Sequence, residues 1–143
     1  MAVNKLLVAF DESEGADRAL AMAASLAAVN PEAHVDVVYV VPIPLLDETQ
    51  MANFKDILDM MISDGEDLLA DAEQKMGDDV AARTDSLLLT GTNPATEIVK
   101  LIDQRSYDLL VVGNRGLSGL KEYMGSVSHK LLHASPIPVL IAK

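Results

Sequence analysis

The segment Val111–Lys130, VVGNRGLSGLKEYMGSVSHK, decides how the rest of the chain is read. Val111 and Val112 run straight into Gly113. Gly116 follows, then Gly119, and Gly125-Ser126 opens a new apolar-periodic segment. A strand that empties into a glycine-rich loop and then a helix start has the local form of a phosphate cradle. Glycine lets the backbone approach an anion closely and permits positive φ. The N–H groups and partial positive charge of the next helix's N-terminus supply the attraction. The plain alternative is a connecting loop that happens to hold several glycines, and glycine spacing alone does not separate the two.

Outward from this segment the chain alternates between two patterns. Val3 to Phe10 is a nearly continuous apolar run, as expected of a strand buried on both faces of a parallel sheet. Asp11-Glu12-Ser13 breaks it, and Ala16, Leu20, Ala23 and Ala27 then recur at helical spacing behind Ser13 as N-cap. Val35 to Val41 reads as a second strand, closed by Pro42-Ile43-Pro44. Phe54 to Met76 has the spacing of a long amphipathic helix whose acidic residues face water. Val80 to Thr90 reads as a third strand. Asn93-Pro94 caps a helix carrying Ile98, Val99 and Ile102, and Leu109 to Val112 is the fourth strand. A helix with Val127, Leu131 and Ala134 precedes a fifth strand, Pro136 to Ala142. The order βαβαβαβαβ implies one α/β domain over 1–143. It is a three-layer sandwich, a five-stranded parallel sheet with helices on both faces.

Composition narrows the function. The chain has 143 residues and no cysteine, which excludes disulfides and thiolate chemistry. No apolar run approaches the ~18 residues needed to cross a bilayer, and MAVNKLLVAF lacks a leader's cleavage site. The expectation is a cytoplasmic protein without membrane insertion. Net charge is −11, which argues against nucleic acid as a partner. The charge is uneven, however. Residues 113–143 hold Arg115, Lys121, Lys130 and Lys143 against Glu122 alone, so the basic segment coincides with the glycine-rich loop.

In the usual strand order for such a sheet, 3-2-1-4-5, ligands sit where the order reverses, at the carboxyl ends of strands 1 and 4. Strand 1 ends at Asp11 and strand 4 at Gly113. The carboxylate and the loop are therefore predicted neighbours. Asp11 suits a ribose hydroxyl, the amino group of adenine, or a metal ion, and a solvated helix-start carboxylate is the alternative.

Along essentially its whole length the chain resembles the universal stress protein family. LLVAFDESEGADRAL is similar to that family's opening strand and aspartate. GTNPATEIVKLIDQRSYDLLVVGNRG is similar to its third helix and fourth strand. GNRGLSGLKEYMGSVSHKLL followed by PIPVLIAK is similar to its G-2x-G-9x-G(S/T) nucleotide motif and last strand. The resemblance implies ATP binding with little or no hydrolysis and a homodimer through strand 136–142. It assigns Asp11 and the backbone near Ala9 to the nucleoside, Val40 to adenine, and Val112 and Gly113 to the base and ribose. Gly116, Gly125, Ser126 and Val127 would face the phosphates, with Ser128 and Arg115 as further candidates. Two departures stand out. Leu117 to Met124 places eight residues between Gly116 and Gly125 where the family pattern has nine. A tightened cradle is thus one alternative, with AMP or another small ligand in place of the triphosphate. Glu12 stands where glycine is frequent, and a carboxylate there is mildly unfavourable near phosphates unless a divalent cation, Mg2+ or Mn2+, sits between them.

Three other chemistries on this architecture fit less well. A phosphotransfer receiver needs an acceptor aspartate after strand 3, where Leu88-Leu89-Thr90-Gly91 stands. A serine hydrolase needs a G-x-S-x-G elbow, which is missing around Ser126. A flavodoxin-type protein needs its phosphate loop after strand 1. His129 and His133, four apart on one helix, read as a surface pair, and a slow ATPase remains the enzymatic alternative.

Overall fold

A computed structural model describes residues 2–11, 13–114 and 125–143. The sheet is built from β1 (Lys5–Ala9), β2 (His34–Pro42), β3 (Thr84–Gly91), β4 (Leu109–Gly113) and β5 (Val139–Ala142). All pairings are parallel and the order is β3-β2-β1-β4-β5, as expected. The helices are α1 (Glu14–Ala28), α2 (Glu48–Gln74), α3 (Asp78–Ala81), α4 (Pro94–Gln104) and α5 (Ser126–Ala134).

Strand alternation divides the core into two layers, because successive side chains point to opposite faces. Leu6, Val8, Val35, Val37 and Val111 meet α1, with Leu69 and Ala72 of α2 and Met76 just beyond its end. Leu7, Val38, Val40, Leu110 and Val112 meet Ile98, Leu101 and Ile102 of α4 and Leu131 of α5. The inward face of α1 is almost entirely small, with Ala16, Ala19, Ala23 and Ala27 buried. Alanine is the strongest helix former and keeps the helix axis close to the sheet. Ser13 caps α1 by accepting from the Ala16 N–H, and Asn93 caps α4 by accepting from the Thr96 N–H, with Pro94 in the first turn.

Three boundaries differ from the sequence reading. The segment 80–83 is helix and turn, and the third strand begins only at Thr84. Val80 turns its side chain into the core, and the Thr84 hydroxyl donates to its carbonyl at 2.7 Å. Arg83 then donates to the carbonyls of Ala27, Asn30 and Ala33, tying this corner to the end of α1. The long helix starts at Glu48, ahead of Phe54, because Asp47 and Gln50 form a reciprocal capping box. The last strand is shorter, Val139–Ala142. Pro136 and Pro138 have no N–H to donate, and only the Pro138 carbonyl joins, accepting from the Leu110 N–H.

Two contacts hold the opposite ends of the sheet. At the carboxyl end, α1 and β4 touch backbone to backbone: a Cβ on Gly113 would lie 2.8 Å from Gly15 Cα and closer still to the Gly15 carbonyl. At the amino end, Asp36 is buried at 4% exposure, and its Oδ2 accepts from the Tyr107 hydroxyl at 2.5 Å and faces Arg105 Nη1 at 3.4 Å. Burial, and then the bond to Asp36, holds the Tyr107 phenol above its ordinary range.

Each contact makes a prediction. Gly113→Ala forces helix and strand apart and is expected to lose about 1–3 kcal/mol in urea unfolding. An unchanged midpoint would show that the contact has slack. Tyr107→Phe strips a donor from a buried carboxylate, with an expected loss of about 1.5–3 kcal/mol near neutral pH. A folded-state pKa raised above the unfolded value gives stability that is complete below about pH 10 and is lost as pH rises. The gap between wild type and Tyr107→Phe should therefore narrow above about pH 10, and a gap constant to pH 12 would refute the assignment.

Candidate functional site

The order reverses between β1 and β4, so the chain leaving β1 turns to one face and the chain leaving β4 to the other. A crevice opens between them at the carboxyl edge. Ala9, Phe10, Asp11, Val40, Gly113, Val127 and Ser128 line it, together with Ser13, Tyr39, Pro42, Pro94 and Ile98. Most of this lining is apolar. Asp11 is the one carboxylate in it among the described residues.

Asp11 stands in a tight turn rather than free in solvent. Its Oδ1 accepts from the Ser13 N–H at 2.8 Å, at the entrance of α1. Asp11 is half-buried, and the bond to Ser13 fixes the direction in which the carboxylate faces the crevice. Val40 is 8% exposed and forms part of the crevice wall. Val112 differs from the expectation attached to it. It is 1% exposed and packed between β4 and the α4–α5 layer, so any ligand meets its backbone only.

The glycines also separate into different roles. Gly113 is required by the backbone of Gly15 behind it, whatever occupies the crevice in front. Gly125 has φ −58 and ψ 149, a conformation open to any residue, so positive φ does not explain it. Its N–H donates to the Asn114 carbonyl at 3.0 Å and clips together the two ends of the connection that starts and finishes there. That N–H is therefore engaged within the chain. Gly125 precedes α5, whose first turn has no side-chain cap among the described residues. The N–H groups of Ser126, Val127 and Ser128 occupy that turn, where helices leave donors unsatisfied. Val127 and Ser128 line the crevice, whereas Ser126 is exposed. The Ser128 hydroxyl donates to the Gly113 carbonyl at 2.7 Å, locking α5 onto the end of β4. Arg115, Gly116 and Glu12 lie outside the described residues.

Pro94 and Ile98 were not foreseen as part of the site. They were nonetheless accessible by topology. The crossover from edge strand β3 to β4 must pass over β2 and β1, which brings the first turn of α4 to the crevice. His129 and His133 are exposed on α5, with ring centroids 4.7 Å apart, and they do not line the crevice.

The crevice thus combines an apolar slot, one oriented carboxylate and an uncapped helix start. Comparison with known proteins agrees with this architecture. The model of the universal stress protein family matches residues 2–143. Universal stress protein YxiE of Bacillus subtilis (strain 168) is 32% identical over 149 residues, which cover 98% of this chain and 99% of the relative. UspA from Lactobacillus plantarum shares the fold, with a TM-score of 0.87 at 20% identity over 100% of this chain and 99% of its own. A universal stress protein solved in complex with cAMP has a TM-score of 0.68 at 26% identity, covering 99% of this chain and 97% of its own. The chain belongs to the universal stress protein family.

Proposed function

We propose that the chain is a regulatory nucleotide-binding protein that holds ATP in the crevice between β1 and β4 and hydrolyses it slowly or not at all. The observation that carries this reading is the juxtaposition of the apolar slot, the oriented Asp11 carboxylate and the uncapped start of α5. The slot of Ala9, Val40 and Ile98 suits a purine base. The Asp11 oxygen not bonded to Ser13 suits a ribose hydroxyl or the amino group of adenine. The first-turn N–H groups of α5 suit a phosphate, through the helix dipole and direct hydrogen bonds. The relative solved with cAMP supports an adenine nucleotide as the class of ligand. The crevice volume of about 210 Å³ is below the ~300 Å³ at which pockets begin to bury a drug-sized ligand whole. It suits base and ribose, with the phosphates reaching toward the connection between Asn114 and Gly125. Mg2+ or Mn2+ would lie among those phosphates, and Arg115 and Gly116 belong to the same proposal. Asp11 is engaged by Ser13, which leaves it poorly placed as a general base and favours slow turnover.

Calorimetry with ATP tests the assignment. Asp11→Ala is expected to weaken binding about 10- to 100-fold, about 1.4–3 kcal/mol. Gly125→Val is expected to abolish binding by filling the space at the start of α5. Phosphate release in the same samples should stay far below ~10 per second, the usual enzyme turnover. Unchanged affinity in both variants would move the ligand elsewhere.

The chain's second expected partner is a copy of itself. Among the described residues β5 pairs only with β4, at an edge of the sheet, with Val139, Leu140 and Ile141 half-buried. An apolar edge is a template for pairing, and two copies about a two-fold axis close both edges at once. With the strand limited to Val139–Ala142, pairing centres there. Leu140→Asp is expected to convert a dimer to a monomer in light scattering. A wild type already monomeric at micromolar concentration defeats the reading.

A further inference from the structure

At the amino end of the sheet, where Asp36 lies four strand rises of ~3.3 Å from the crevice residue Val40, about 13 Å away, β2 and β3 bring three metal-ligating side chains together. Asp36 is directly opposite Asp85 in the β2–β3 register. His34, two residues before Asp36, shares their face. His34 Nε2 is 3.2 Å from Asp36 Oδ1 and 3.0 Å from Asp85 Oδ2, and the three donor atoms lie within 4.8 Å of one another.

We propose that His34, Asp36 and Asp85 form a second site, for a divalent transition cation of the zinc class. Like charges directly opposite on neighbouring strands repel, and here one of the two carboxylates is buried. The imidazole nitrogen between them carries at most one proton for two oxygens. A divalent cation satisfies all three atoms. One imidazole and two carboxylates are ordinary zinc ligands, with arms of 2.0–2.2 Å and a water in the fourth position. A tetrahedron with such arms has ligand–ligand edges of about 3.4 Å, so the observed nitrogen–oxygen separations need only a few tenths of an ångström of adjustment. Asp36 has the outer support that metal-binding carboxylates require. Its Oδ2 is held by the Tyr107 hydroxyl and faces Arg105, which aims Oδ1 toward the ligand atoms of the other two residues. Arg105 is half-exposed and sits on the far oxygen, so it orients the carboxylate without occupying the site. The His34 and Asp85 side chains are 40% and 69% exposed, which leaves an entry path.

Zinc titration of the full chain, without nucleotide and in the presence of a competing chelator dye at ~0.1 M salt, tests the site. The wild type is expected to bind one zinc ion per chain and to unfold at a higher temperature with zinc present. His34→Ala and Asp85→Asn alter exposed side chains. Each should lose at least tenfold in zinc affinity and show no zinc-dependent rise in unfolding temperature. Tyr107→Phe keeps the ligands and removes the support, with an expected loss of about tenfold. The double variant His129→Ala/His133→Ala should bind zinc like the wild type. No binding by the wild type, binding retained in His34→Ala, or loss of binding in the His129/His133 variant would each overturn the proposal.

Discussion

The carboxyl edge of this molecule depends on how near the first turn of α1 comes to the end of β4. Gly15 and Gly113 touch through their backbones, which no pair of larger residues permits. That approach sets where the turn Asp11–Ser13 stands and hence where the Asp11 carboxylate points. It also sets the position of the Gly113 carbonyl, on which the Ser128 hydroxyl anchors α5. One steric constraint therefore coordinates two helix starts on opposite faces of the sheet. The small-residue face of α1 extends the same logic along the helix, because Ala16, Ala19, Ala23 and Ala27 keep it against the strands.

The two ends of the sheet have opposite electrostatic character. Parallel strands put every following helix start at the carboxyl edge, where partial positive charge collects. The amino edge gathers carboxylates that earn their place by local bonds. Asp108 Oδ2 accepts from the N–H groups of Asn4 and Lys5, pinning the entrance of β1. Asp36 binds Tyr107 and faces Arg105, and Arg83 closes the end of α1. The fold is thus fastened by polar side chains at one end and by close backbone packing at the other.

Much of this was legible in the sequence because the signals were periodic. Continuous runs such as Leu6–Val8 and Leu110–Val112 identify strands covered on both faces. Ser13 and Asn93 marked two helix starts that the structure repeats. The chain order and the parallel sheet then followed from handed connections. Less was legible where long-range partners decide the outcome. Val80 looks like a strand residue until Arg83 finds the carbonyls of α1, far off in sequence. Val112 looked like a wall of the site, although the register turns its side chain into the core. Gly125 was expected to turn its N–H to a phosphate, and that N–H is bonded to the Asn114 carbonyl. The juxtaposition of Asp36 and Asp85 depends on β2–β3 register, which no local pattern reports.

The hydrogen bond from the Gly125 N–H to the Asn114 carbonyl separates the length of the connection from the geometry of its ends. Asn114 and Gly125 are held together by that bond, and the Ser128 hydroxyl on the Gly113 carbonyl holds α5 to β4 beside it. The meeting of β4 and α5 is thus set by residues on either side of the connection, through one backbone bond and one hydroxyl.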